Sequence, residues 1–214
     1  MTMYVTSDWH VGHKNILKYC DRPFRDLNHM HTILRANMLE ALTADDVLLN
    51  LGDVVMGNRA ENLALIKSWN LPCKMILWPG NHDEPWIGNP NESRRERMTP
   101  LYEEVFDHIY QLPILGITDD TKEPDALGNF PLMAYANHFP YTGDSHDEER
   151  YKDFRYPDEG KPLVHGHTHS SEKVSYTPKG TLQIHVGVDS WDFRPVSIDT
   201  IRDMIADYAQ KESV

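Results

Sequence analysis

Cysteine is scarce in this chain: Cys20 and Cys73 are the only two among 214 residues. That excludes a disulfide framework. Their spacing is not that of a zinc finger, so both read as reduced, packed thiols. Long apolar runs are missing as well, and no stretch could cross a bilayer as a helix. The opening Met1-Thr2-Met3-Tyr4-Val5-Thr6-Ser7-Asp8 has no basic segment followed by an apolar one. No secretory signal and a cytoplasmic location are therefore expected. Positive charge is short too: 21 Lys and Arg face 33 Asp and Glu, for a formal net charge of -12. Loose binding to long nucleic acids draws on many cation–phosphate contacts, so it is disfavoured.

What the chain does have is histidine, 12 in all, gathered mostly in a few short clusters. The surrounding pattern alternates strands with helices. Met3 to Ser7 reads as a strand, and Leu27 to Leu42 as a helix with Met30, Ile33, Leu34, Met38, Ala41 and Leu42 on one face. Val47 to Leu51 and Lys74 to Trp78 read as buried strands, with a helix from Glu61 to Trp69 between them. Glu84 to about Thr99 reads as a long surface loop, and Pro100 to Phe106 as helical. The second half reads as strands around Ile109 to Leu115, Leu132 to Asn137, Leu163 to His165 and Thr181 to Val188. Asp119 to Asn129 and Gly143 to Gly160 read as polar loops. Ser197 caps a closing helix with Ile198, Ile201, Met204, Ile205 and Tyr208 on one face. This predicts one α/β domain over 1–214 with a largely parallel beginning.

Asp8, Asp53, Asn81, His138 and His167 each fall just past one of these strands, where α/β folds gather ligand sites. Asp8-Trp9-His10 sets a carboxylate and an imidazole on the same side of an extended chain. Gly52-Asp53 ends an apolar strand on a carboxylate that needs a partner, and its two oxygens can bridge two ions. Gly80-Asn81-His82-Asp83 adds a neutral oxygen donor and an imidazole that can move a proton near neutral pH. Asn137-His138-Phe139-Pro140 places another histidine after a strand. His165-Gly166-His167-Thr168-His169 puts three imidazoles in five residues. Taken singly, each motif is also compatible with an ordinary turn or a structural histidine. Taken together they make a mixed nitrogen and oxygen donor set, too large for one tetrahedral ion but suited to two ions sharing a bridge.

The order Asp-x-His, Gly-Asp, Gly-Asn-His-Asp, His, Gly-His-x-His resembles the calcineurin-like metallophosphoesterases, from Asp8 to His169. Gly12-His13-Lys14-Asn15-Ile16 and Gly187-Val188-Asp189-Ser190-Trp191-Asp192-Phe193-Arg194-Pro195-Val196 are similar to the small bacterial and bacteriophage phosphodiesterases of that family. The resemblance implies a four-layer α-β-β-α sandwich of two mixed sheets flanked by helices. It implies one metal on Asp8, His10, Asp53 and His169, and another on Asp53, Asn81, His138 and His167, with Asp53 bridging. The ions implied are divalent transition metals, Mn foremost, with Fe, Zn, Co or Ni as alternatives. A metal-bridging hydroxide is the implied nucleophile, and His82 the catalytic acid that protonates the leaving oxygen.

The departures narrow the substrate. Protein phosphatases of the family follow Gly-Asp with an aspartate that orients the catalytic histidine and an arginine that binds phosphate. Here Met56 and Gly57 stand in those places. Fewer cations fit a singly charged diester better than a doubly charged monoester. His13, Arg22 and Arg194, with Asn81, are the candidate substrate contacts. The expected partner is a small phosphodiester, a 2',3'-cyclic nucleotide foremost, with no strong nucleic-acid binding and no membrane. A nuclease, a phosphomonoesterase and a non-catalytic metal-binding scaffold are the alternatives. The retained His82 and complete ligand set weigh against the scaffold.

Overall fold

A computed structural model describes residues 1–110 and 115–212. Two five-stranded sheets face each other. The first holds β1 (Met3–Thr6), β2 (Val47–Asn50), β3 (Lys74–Leu77) and β4 (His108–Ile109) in parallel, with β10 (Val196–Ser197) antiparallel on the β1 edge. The second runs β5-β6-β7-β9-β8, from Leu115–Thr118, Leu132–Asn137, Leu163–His165, Leu182–His185 and Val174–Tyr176 respectively. Its β6, β7 and β9 are parallel and its two edges antiparallel, so both sheets are mixed.

The apolar runs are continuous because the first sheet is covered on both faces. Leu48, Met75 and Leu77 turn to a helix layer, whereas Val5, Leu49 and Ile76 turn to the second sheet. The helix layer is α2 (Leu27–Ala41), α3 (Arg59–Ser68) and α4 (Glu92–Glu103). In α2, Met30, Leu34 and Met38 recur at four-residue spacing and are fully buried, each contributing about 1.5–3 kcal/mol of transfer free energy. Asp26 caps that helix by accepting the His29 N–H at 2.8 Å. Ala134 and Ala136 of β6 are small, which lets Val164, Ile184 and Trp78 close the space between the sheets. The closing helix, α5 (Ile198–Glu212), follows Ser197, whose Oγ accepts the Thr200 N–H at 3.1 Å. Among the described residues, no helix is long and apolar enough to cross a membrane.

Two readings of the sequence change. The stretch expected as a long surface loop contains the start of α4, which runs through Pro100. Asn91 caps it by accepting the Arg94 N–H at 3.0 Å, and Tyr102 buries its ring in the core. Only that one residue of α4 is buried, so no apolar stripe announced the helix. The strand expected around Ile109 to Leu115 is instead the end of β4 and the start of β5, and 111–114 lie outside the described residues. The short helix α1 (Ile16–Tyr19), β8 and β10 were not anticipated.

The two sheets are stitched at one end. Ser7, just after β1, bridges to Gly187, just after β9, and the Val188 N–H donates to the Ser7 carbonyl at 3.1 Å. That seam brings the ends of β1, β2, β3, β6, β7 and β9 to one place.

Candidate metal centre

At this seam the backbone itself is unusual. Asp8, His10, Asp53, His167 and His169 all have positive φ, between 49° and 69°. L-residues with a side chain rarely adopt that region, and such conformations cluster where surrounding structure over-determines them for function. The extended geometry expected for Asp8-Trp9-His10 and for His165-Gly166-His167-Thr168-His169 is therefore replaced by left-handed turns. These still aim the side chains inward. His165 diverges: it ends β7, is buried, and its Nδ1 lies 2.8 Å from the Gly166 carbonyl.

The imidazole and carboxylate donors converge on Asp53. Its Oδ2 lies 3.5 Å from His10 Nε2 and 3.5 Å from His138 Nε2. His10 Nε2 is 3.2 Å from His169 Nε2, and His138 Nε2 is 3.1 Å from Asn81 Oδ1. Two donors about 2.1 Å from a shared ion and at a right angle to each other lie about 3 Å apart. These spacings suit donors arranged around an ion. The donor atoms of Asp8, His10 and His169 lie within 4.8 Å of one another, as do those of Asp8, Asp53 and His138. Asp8 thus borders both groups. His167 Nε2 points at Asp144 Oδ2, 3.2 Å away, leaving Nδ1 as its other donor. His82 keeps its ring partly exposed, with Nε2 4.0 Å from Asp53 Oδ2.

Close backbone approach explains three glycines. A Cβ on Gly80 would stand 2.4 Å from Asp53 Oδ1 and 2.7 Å from the His138 ring. One on Gly166 or Gly187 would fall 2.6 or 2.7 Å from Asp8 Oδ2. The glycine of Gly80-Asn81-His82-Asp83 therefore serves to admit two site residues rather than only to turn the chain.

Without ions, the charges settle among the side chains. Burial alone would raise the Asp53 carboxyl, but His138, His82 and His10 outweigh it and hold it well below the usual range. Burial likewise opposes charge on His138, yet Asp53 pushes it up to about 9. Burial and the neighbouring His169 take His10 well below its ordinary value. Burial, aided by His138, takes His167 down to about 3. The His10 Nδ1 is buried with no hydrogen-bond partner.

Several contributors were not assigned from the sequence. Asp83 Oδ2 accepts the N–H groups of Asp53 at 2.7 Å and Gly80 at 3.0 Å, and its Oδ1 that of Val54 at 3.0 Å. It ties the ends of β2 and β3 together. Burial and the nearby Asp53 raise its carboxyl to about 7. Asp189 Oδ2 lies 2.9 Å from His169 Nδ1, which turns Nε2 toward His10. The Cys20 thiol stands beside the same His169–Asp189 pair. His185 is buried, with Nδ1 3.0 Å from Ser190 Oγ and Nε2 3.9 Å from Asp8 Oδ2.

The candidate substrate contacts separate. His13 stands beside the site, its ring 5.3 Å from that of His10. Arg22 does not face the cleft. Its guanidinium is buried and donates to Asp189 at 2.7 and 2.9 Å and to the backbone carbonyls of Asp8 and Trp9. Arg194 pairs with Glu40 of α2 on the surface. Arg22 is thus corrected from a substrate contact to a structural residue, and Arg194 to a surface ion pair.

A two-sheet α/β frame with carboxylates and imidazoles gathered at its strand ends is the frame of a metal-dependent phosphoesterase. This chain belongs to the calcineurin-like phosphoesterase family, whose profile matches residues 1–171. It is 35% identical to the Gene 66 protein of Mycobacterium phage D29, over 96% of each chain. It is 32% identical to the Gene 66 protein of Mycobacterium phage L5, over 99% of this chain and 97% of that one. Among solved structures it resembles AQ665 of Aquifex aeolicus with a TM-score of 0.65 and 25% identity, covering 95% of this chain and 98% of that one. The enzyme is thus a hydrolase of phosphoesters, and divalent metal ions are its implied cofactor.

Proposed function

We propose that this enzyme is a dinuclear phosphodiesterase acting on small diesters, with 2',3'-cyclic nucleotides as the foremost substrate and Mn(II) as the foremost metal. The observation that carries the reading is Asp53 Oδ2, equidistant at 3.5 Å from imidazole nitrogens that belong to different sheets. One carboxylate between two histidine sets is what a bridging ligand requires. Asp8, His10 and His169 would hold one ion and Asn81, His138 and His167 the other. Bound there, the ions would supply Lewis-acid stabilisation of the phosphoryl oxygens and activation of a water.

The chain's own residues supply the rest. Asp83 fixes the Asp53 and Gly80 turns, so the bridge and Asn81 keep their relative positions. His82 is the only one of the expected site residues in the Gly80-Asn81-His82-Asp83 turn with a ring partly open to the cleft, and it can donate a proton to the departing oxygen. Its backbone N–H donates to Asp53 Oδ1 at 2.9 Å, which ties its position to the bridge. The preference for a diester rests on charge: Met56 and Gly57 supply no cation, and Arg22 is engaged inside the protein.

The test is hydrolysis of bis-p-nitrophenyl phosphate against p-nitrophenyl phosphate with Mn(II), for the wild type and His82→Ala. Diester cleavage should dominate and fall by about 10²–10⁴-fold in the variant. Preference for the monoester would overturn the diester reading. No cleavage of either would favour a non-catalytic role.

A further inference from the structure

We propose that Arg59 and Arg94, clamped by the buried Glu84, form a subsite for a second phosphate carried on the leaving-group side of the scissile diester. The inference rests on the phosphodiesterase reading above and specifies its substrate class.

The observations concern a cavity of about 420 Å³ that opens beside His82 and Asn81. Arg59 is the first residue of α3, and Arg94 lies in the first turn of α4. Both reach the same carboxylate oxygen: Arg59 Nε and Arg94 Nη2 are each 2.7 Å from Glu84 Oε1. Glu84 is itself buried and accepts from Asn89 Nδ2 at 3.0 Å. Two guanidiniums sharing one carboxylate leave one positive charge unmatched within the trio, and Asp83, which also lines the cavity, has its carboxyl turned to the N–H groups of Asp53, Val54 and Gly80. Arg150 and Arg155 share Asp144 in the same way, but that carboxylate also faces His167, whereas Glu84 has no imidazole partner among the described ion pairs. The second guanidinium is surplus to Glu84, and planar guanidiniums are well matched to phosphate oxygens.

Position decides which phosphate. Arg59 Nη2 donates to the His82 carbonyl at 3.3 Å. Arg59 therefore meets His82 at its backbone, whereas the ring tip faces Asp53. His82 protonates the leaving oxygen, so a group bound beyond it belongs to the leaving fragment. Trp86 and Tyr151 wall the same cavity, their rings 5.5 Å apart edge to face. An apolar wall lowers the local dielectric and strengthens an ion pair formed against it. The charge missing over the scissile phosphate thus reappears one group further along.

The test uses the Mn(II)-loaded full chain and two readouts. In the first, equilibrium binding of thymidine 3',5'-bisphosphate is compared with thymidine 5'-monophosphate and 3'-monophosphate. The bisphosphate should bind at least about 10-fold tighter than either, the size expected of one added charged hydrogen-bonded contact. Arg94→Gln should reduce that ratio to about 3-fold or less. In the second, kcat/KM is compared for the dinucleotide TpT and its forms phosphorylated at the 5' or 3' end. One phosphorylated form should exceed TpT by a similar factor, and Arg94→Gln should level them. Equal binding of mono- and bisphosphates by the wild type would overturn the subsite, whatever the turnover of bis-p-nitrophenyl phosphate. Tighter bisphosphate binding without any diester turnover would leave the subsite standing and overturn the phosphodiesterase reading.

Discussion

His169 and His167 sit two residues apart, and each is backed by a carboxylate that is in turn held by arginine. The two supports are built differently. Behind His169 stands Asp189, in the turn after β9, gripped by Arg22, whose side chain is fully buried. Behind His167 stands Asp144, held by Arg150 and Arg155 from the loop between β6 and β7, and Arg150 is about a third exposed. The protonation that results is opposite. Burial opposes charge on both rings, yet Asp189 raises His169 well above its ordinary value while His167 falls to about 3. On His167, burial and the nearby His138 outweigh what Asp144 and Asp53 give. A carboxylate behind a metal-binding imidazole fixes its tautomer and raises its basicity. The same device is thus set once in the frame and once in a loop.

The largest effect should come from removing the frame's arginine. Arg22→Ala would leave the buried Asp189 with His169 as its remaining ionic partner and would orphan the Asp8 and Trp9 carbonyls. Breaking such a pair costs about 3–5 kcal/mol. Thermal unfolding of metal-free protein should show it as a large drop in Tm. The equivalent change in the loop, Arg150→Ala, should cost far less, because Arg155 still holds Asp144 and the lost pair is partly solvated. Equal losses would erase the distinction between frame and loop.

The next effect separates the two ions. Asp189→Asn and Asp144→Asn each remove the carboxylate behind one proposed ligand, which typically costs about 10–100-fold in metal affinity. Competition with a chelator should show one site weakened and the other unchanged in each variant, with Asp189→Asn toward the upper end and Asp144→Asn toward the lower. Weakening of both sites in either variant would mean that the two histidines serve one ion.

Acidity sharpens the comparison further. His167, with a folded-state value near 3, and His165, taken by burial to about 4, both lie below the ordinary 6.5. A neutral histidine of this kind stabilises the fold above about 6.5, and that stability is lost as the pH falls toward the folded values. His138 is raised to about 9 and works in the other direction. Its contribution is complete below 6.5 and is lost as the pH rises through 9. Metal-free protein should therefore be most stable near pH 6.5, falling on either side by at most about 1.4 kcal/mol per pH unit for each proton. Thermal melts in EDTA at acid, neutral and alkaline pH would measure this. With metal bound, His138 can no longer carry its proton, so the alkaline decline should disappear.

How much of this was legible in the sequence follows the same division. Strands β1, β2 and β3 announced themselves as apolar runs because both their faces are covered. Their ends marked Asp8, Asp53 and Asn81. The Gly-His-x-His run marked His167 and His169. The second tier was not legible. Asp144 lay in a polar loop and Asp189 in an apolar-to-polar turn, and nothing in a linear pattern says that either carboxylate returns to a histidine. Asp83 stands in the Gly80-Asn81-His82-Asp83 motif, but its three backbone N–H partners come from the ends of two different strands. The start of α4, ahead of the helical stretch expected from Pro100, was hidden because the helix buries one residue and its cap is an asparagine in a stretch full of turn residues. Arg22 shows the opposite failure: a cation near a phosphate site in sequence proved to be a cation inside the frame.

The smallest expected effect belongs to the other misread arginine. Arg194 has a guanidinium 2.8 Å from Glu40, but both side chains are substantially exposed, at 44% and 67%. An exposed pair of this kind contributes less than about 1 kcal/mol, because solvent and salt screen it. Arg194→Ala should leave Tm nearly unchanged and should leave both kcat and KM for bis-p-nitrophenyl phosphate within about 2-fold of wild type. Set beside Arg22→Ala, the contrast separates a buried arginine that also holds two backbone carbonyls from an exposed one paired with a single carboxylate. A rise in KM for Arg194→Ala with unchanged Tm would restore Arg194 as a substrate contact, reached by a movement of the segment after Asp189 toward the cleft.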